Sequence, residues 1–99
     1  MSTSTNYRLR FLPSALKEWR KLDPPIQQQL KKKLQERLDH PHVPASRLRG
    51  FEAVYKIKLR SSGYRLVYQV KDDQLVVLVI AIAKRDGGQV YQRLRKRLS

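Results

Sequence analysis

The chain has no cysteine, which removes both a disulfide framework and thiolate chemistry. Its two histidines, His40 and His42, share one proline-flanked stretch with no further ligating cluster, and they read as loop residues. Neither zinc, another metal nor a cofactor is expected. Long apolar runs are lacking too. The longest, Leu75 to Ala83, has nine residues, against about 20 for a membrane-spanning helix. The opening Met-Ser-Thr-Ser-Thr-Asn offers no apolar core for a secretory signal, so the cytoplasm is the expected location. Acids are scarce: 8 against 22 Lys and Arg, a net charge of +14. Such an excess opposes compaction by self-repulsion and favours polyanions through counterion release. Nucleic acid leads as partner. A membrane surface does not, because no long basic amphipathic helix with an aromatic apolar face is present.

What remains is enough for one folded domain spanning residues 1–99, with residues 1–5 read as a frayed terminus. Tyr7, Leu9 and Phe11 alternate with Arg8 and Arg10, a short strand. Leu12, Ala15, Leu16, Trp19 and Leu22 recur at helical steps, and Ile26, Leu30, Leu34 and Leu38 form a second stripe ending before Pro41. Asp23-Pro24 between them reads as a capping carboxylate followed by a first-turn proline. Helices joined so tightly form an antiparallel hairpin. After a loop over residues 40–50, strands are expected at about 53–60, 64–71 and 75–83. The last is apolar on both faces and belongs in the middle of the sheet. Val90, Leu94 and Leu98 mark a short basic helix at the end. The order of strand, two helices, three antiparallel strands and helix is that of an α+β domain.

The densest pattern lies in residues 55–70. On a strand Tyr55, Ile57 and Leu59 face one way, while Lys56, Lys58 and Arg60 face the other. Ser61-Ser62-Gly63 makes the turn, and Arg65 returns on the next strand. Read by itself, the hairpin is a rigid cationic surface without a carboxylate, suited to a polyanion. A solvated strand face is the bland alternative.

Together with Ala15-Leu-Lys-Glu-Trp-Arg-Lys-Leu22, Gln29-Leu-Lys-Lys-Lys-Leu34, Lys84-Arg85 and Val90-Tyr91, the segment from Lys56 to Val70 closely resembles the RelE toxins of bacterial toxin–antitoxin pairs. The resemblance implies a RelE/ParE-like fold related to small microbial ribonucleases. It also implies cleavage of messenger RNA in the ribosomal decoding site, without a metal, by attack of a 2′-hydroxyl on the neighbouring phosphate. Implied partners are a wrapping RelB-like antitoxin, the 70S ribosome with its messenger and ribosomal RNA, and operator DNA only through the antitoxin complex. Position by position, the family's functional residues fall on Lys56, Lys58, Arg65, Arg85 and Tyr91. Arg49, with Arg47 in the same Arg47-Leu-Arg-Gly50 element, is a further phosphate contact. The run Lys31-Lys32-Lys33 is either a solvated helix face or a grip on ribosomal RNA. Gly87-Gly88 stands where close relatives carry better helix formers, so the last helix begins late or hinges.

Internal attack needs a base, charge stabilisation and an acid. Arg65 and Arg85 suit the phosphate by forked hydrogen bonding. Tyr91 can stack on a base or ionise beside cations; its bland role is packing on the sheet. Crowded cations disfavour a protonated lysine, which makes Lys56 or Lys58 a candidate base. Trp19 is assigned to the core. With no His or Glu in this set, the enzyme should be poor on free RNA and depend on the ribosome for alignment. Two rivals stand beside this reading: an RNA-binding module without catalysis, and a ParE-type poison of DNA gyrase. An extended antitoxin should cover the sheet and the two-helix hairpin, displacing the helix that carries Tyr91.

Overall fold

The computed structural model describes residues 7–84 and 88–98; residues 1–5 and Arg85 lie outside them. A four-stranded sheet forms from β1 (Arg8–Phe11), β2 (Val54–Lys58), β3 (Tyr64–Lys71) and β4 (Val76–Lys84). Its order is β1-β4-β3-β2, with β1 parallel to β4 and the other pairs antiparallel. The apolar run is therefore central, as its two-faced hydrophobicity requires. It starts one residue late because Leu75 takes a left-handed backbone, φ 54°, in the preceding turn.

Helices α1 (Pro13–Arg20) and α2 (Pro24–Asp39) cover one face of the sheet. Ala15, Leu22, Leu30 and Leu34 pack there on Tyr55, Ile57, Leu59, Leu66, Tyr68 and Val70. Leu12 and Leu22 fall just outside α1. Asp23 occupies the cap position of α2, yet its carboxylate makes no capping hydrogen bond; the first-turn proline sets the start instead. Trp19 is half-buried at the rim of this core, its ring 5.4 Å from Phe11.

The other face carries α3 (Gln89–Leu98), whose Val90 and Leu94 are buried against Val54, Val67, Ile80, Ala81 and Ala83. Gly88 precedes it at φ 77°, and its carbonyl accepts from Tyr91 and Gln92 N–H. The helix thus begins after the glycine pair, since only glycine enters this backbone region without strain. In β4 one extra residue, Ile80, bulges between the pairs Val67–Ala81 and Tyr68–Val79. The bulge puts Ile80 and Ala81 on the same side, towards α3. Among the described residues no helix is long and apolar enough to cross a membrane.

Candidate ribonuclease surface

The hairpin of β2 and β3 closes through Leu59, whose N–H donates to the Tyr64 carbonyl and whose carbonyl accepts from Gly63 N–H, both at 2.9 Å. Gly63 has φ 79°, the backbone that this four-residue connection demands. Strand alternation then puts Tyr55, Ile57 and Leu59 into the core under the helices. Lys56 and Lys58 project to the opposite face, Lys56 half-buried and Lys58 exposed. Lys58 lies directly across from Arg65. Two like charges on adjacent strands oppose folding.

From the side, α3 brings Tyr91. Arg65 Nη1 donates to Tyr91 Oη at 3.4 Å, a long contact, and the guanidinium carbon lies 5.9 Å from the ring centroid. Arg65 Nε is buried and has no hydrogen-bond partner among the described residues. Lys56, Lys58, Arg65 and Tyr91 therefore share one face, while Arg85 lies outside the described residues.

Around this centre lie further cations. The loop after the 3-10 turn Pro44–Ser46 runs along β2, with Leu48 N–H donating to the Val54 carbonyl at 2.8 Å and Arg47 bridged to Tyr55. Leu48 and Phe51 pack into the α3-side core, leaving Arg47 and Arg49 exposed on the loop. Successive residues of a helix point about 100° apart, and this divides the lysine run. Lys32 and Lys33 line an open cleft of about 630 Å³ with Lys58, Arg60 and Ser61. Lys31 instead lines a groove with Leu9, Phe11 and Trp19.

The cleft also contains Glu36. A carboxylate-free surface, expected from the hairpin alone, is thus corrected: α2 supplies one. Other contacts were equally hidden. Arg37 donates from Nη1 to Tyr68 Oη at 2.8 Å and to the Lys56 carbonyl at 3.3 Å, steadying the outer edge of β2. Tyr68 Oη in turn donates to the Pro41 carbonyl at 2.8 Å. Burial pushes the Tyr68 phenol up, against the opposing pull of Arg37.

His42 is more than a loop residue. Its Nδ1 lies 2.8 Å from Tyr55 Oη and its Nε2 2.9 Å from Asp72 Oδ1, which also accepts from Tyr7 Oη at 2.6 Å. Hydrogen bonds from Tyr7 and His42 hold the Asp72 carboxyl below its ordinary value. The same bond to Asp72, with some desolvation, raises the Tyr7 phenol. This network joins through Tyr55 to the helix-covered face, opposite Lys56.

Comparison with known proteins identifies the family. A family model described as the ParE toxin of the type II toxin–antitoxin system parDE matches residues 9–87. The mRNA interferase toxin RelE of Escherichia coli (strain K12) is 55% identical over 92 residues, covering 93% of this chain and 97% of that protein. A solved E. coli RelE mutant, with two arginines changed to alanine and in the free state, superposes with a TM-score of 0.88 at 53% identity, covering 95% of this chain and 99% of that one. The toxin in the intact E. coli RelBE toxin–antitoxin complex gives 0.79 at 57% identity, covering 81% and 98%. This chain belongs to the RelE toxins, within the ParE-toxin family of type II toxin–antitoxin systems.

Proposed function

We infer that this chain is the toxin of a type II toxin–antitoxin pair and cleaves messenger RNA held in the ribosomal decoding site. The observation that carries the reading is the 55% identity to an mRNA interferase over nearly the whole chain, joined to the convergence of Lys58, Arg65 and Tyr91. In the proposed reaction a messenger 2′-oxygen attacks the adjacent phosphorus and the bond to the 5′-oxygen breaks. A cyclic phosphate and a free 5′-hydroxyl result. Arg65 and Arg85 bind the phosphate oxygens as negative charge builds on them. Lys56 or Lys58 takes the hydroxyl proton, and Tyr91 stacks on a base or passes a proton to the leaving oxygen. These steps use proton transfer and charge stabilisation alone, so no metal is assigned to them. Arg47, Arg49, Lys31, Lys32 and Lys33 contact RNA phosphates around the centre.

An antitoxin resembling RelB, the partner of RelE in the solved complex, holds the activity off and, with the toxin, represses their operon. It lies on the sheet and the two-helix face and displaces α3. The place of action is the cytoplasm, where the ribosome is.

The test compares purified protein on naked messenger and on programmed ribosomes, reading the new 5′ ends beside an Arg85→Ala control. Cutting confined to ribosome-bound codons, and lost in the control, is the expected result. Equal cutting of both substrates rejects ribosome dependence. The family model named for ParE keeps one second reading in view, a gyrase poison. DNA damage with intact messenger after induction would establish it.

A further inference from the structure

Strand β1 ends at Phe11, opposite Val79. Beyond Val79, among the described residues, no strand lies beside the outer edge of β4, and side chains take its place. Ile82 N–H donates to Glu18 Oε1 at 3.0 Å. Arg93 Nη1 donates to the Ile82 carbonyl and Arg97 Nη1 to the carbonyl of the bulged Ile80, each at 2.8 Å. The same groups bind one another. Arg97 grips both oxygens of Glu18, at 3.0 and 2.8 Å, and Arg93 lies 3.0 Å from Oε2. Glu18 stands on α1 and both arginines on α3, so three elements meet in one cluster.

Two physical features give this cluster more than a surface role. The Glu18 and Arg97 side chains keep only 18% and 20% of their exposure, so solvent screens them far less than an exposed pair. A forked guanidinium–carboxylate contact is also directional, unlike the apolar burial of Val90 and Leu94, which sets no unique rotation. Gly88, at the head of α3, has no side chain with which to cap the helix. The 3.4 Å contact between Arg65 and Tyr91 is too long to fix it either. Burial would raise the Glu18 carboxyl. Hydrogen bonds from Arg97 and Ile82 N–H, with the charges of both arginines, outweigh that and keep it ionised below its ordinary value.

We propose that Glu18, Arg93 and Arg97 form a positioning latch that locks α3 onto the open edge of β4 and thereby sets Tyr91 beside Arg65 for cleavage. The proposal rests on the reading of the chain as a ribosome-dependent nuclease. Glu18 acts through α3 and touches no substrate; it is a positioning residue.

The experiment uses the full chain with Glu18→Gln and Arg97→Gln, in single-turnover cleavage of messenger on programmed ribosomes with protein in excess. The saturating rate constant should fall ~10- to 100-fold, the scale of a misplacement near 1 Å, with half-saturation moved by about twofold or less. A core variant remote from α3, Val70→Ala, reports what mere destabilisation does and should leave the saturating rate unchanged. In a Tyr91→Phe background, Glu18→Gln should cost less than about twofold more, because the two act as one unit. Fully additive losses, or a change in half-saturation alone, would overturn the latch. If the wild-type protein cuts no ribosome-bound messenger, the functional reading falls separately, and amide exchange then judges the latch. Glu18→Gln should speed exchange in α3 by ~tenfold or more while β3 is unchanged; unaltered exchange in α3 refutes it.

Discussion

Replacing Arg65 by methionine should stabilise the fold while sharply lowering activity. Among the described residues Arg65 Nε is buried without a partner, and a buried charged donor left unbonded costs about 1–3 kcal/mol. Lys58 sits directly opposite, adding like-charge repulsion of about 0.2–1 kcal/mol. Methionine removes both and keeps an apolar stem. It also loses the stacking of the guanidinium on Tyr91 at 5.9 Å, about 0.5–1 kcal/mol, and a 3.4 Å hydrogen bond worth no more than about 1 kcal/mol. The difference centres near a gain of about 1 kcal/mol, or ~4–8 °C in melting temperature for a domain of this size. Cleavage on programmed ribosomes should fall by about 10²–10³, as for loss of one donor to a developing oxyanion. Urea denaturation and single-turnover cleavage measure the two quantities. A variant less stable than the wild type by more than about 1 kcal/mol would show that Arg65 is a structural residue. Cleavage within tenfold of wild type would remove it from the chemistry.

Tyr68→Phe takes the 2.8 Å donor from the Pro41 carbonyl and the 2.8 Å acceptor from Arg37 Nη1, which keeps only the longer contact to the Lys56 carbonyl at 3.3 Å, so it should cost about 1–3 kcal/mol by urea denaturation at neutral pH. The raised Tyr68 phenol contributes stability that is complete below the unfolded-state value and lost as pH climbs through the folded one. The phenylalanine variant should accordingly lose less stability than wild type on going to strongly alkaline solution. Leu75→Asn should gain about 0.5–1 kcal/mol, because asparagine tolerates the left-handed backbone that leucine occupies under strain; an unchanged urea midpoint would count against that. Glu18 is lowered in the fold, so its contribution is present above the unfolded-state value and disappears as pH falls through the folded one. The stability gap between wild type and Glu18→Gln should therefore close on acidification, and a gap that widened would contradict the sign.

Local periodicity made much of this molecule readable. Tyr55, Ile57 and Leu59 had to face away from Lys56 and Lys58, because strand side chains alternate and the apolar set needs a core. The two-faced apolar run had to be central. Boundaries slipped where backbone conformation, rather than pattern, decided: Leu75 is apolar but sits in a left-handed turn. Asp23 was correctly placed as a cap position, yet its side chain makes no capping bond. Contacts across long chain separations were out of reach. Glu18 and Arg97 are 79 residues apart, and nothing local marks their meeting, although Arg93 and Arg97, four apart on one helix face, hint at a common partner. His42 reaches Asp72 across 30 residues. Glu36 entered the cleft because α2 crosses beside the hairpin, which the hairpin sequence cannot reveal.

That carboxylate bears on where the reaction gets its speed. Glu18 is bound by two arginines, and His42 is tied to Tyr55, which points away from Lys56. Among the described residues, Glu36 lines the same cleft as Lys58, which makes it a rival to lysine as base. Its neighbours there are Lys32, Lys33, Lys58 and Arg60. Amid four cations a carboxylate weakens the attraction of an incoming phosphate backbone, an effect on association more than on chemistry. Glu36→Gln should then tighten ribosome binding, most clearly at low salt where charges act over ~30 Å at about 0.01 M, with the saturating cleavage rate within tenfold of wild type. General base catalysis contributes about 10²–10⁴-fold, so a loss of that size in Glu36→Gln would make Glu36 the base. With the expected result, the proposed transfer of protons by lysine and tyrosine stands against Glu36, and alignment of the messenger by the ribosome is then expected to supply most of the rate, a contribution that can reach about 7–11 kcal/mol. Poor cutting of naked RNA then follows from the side chains themselves.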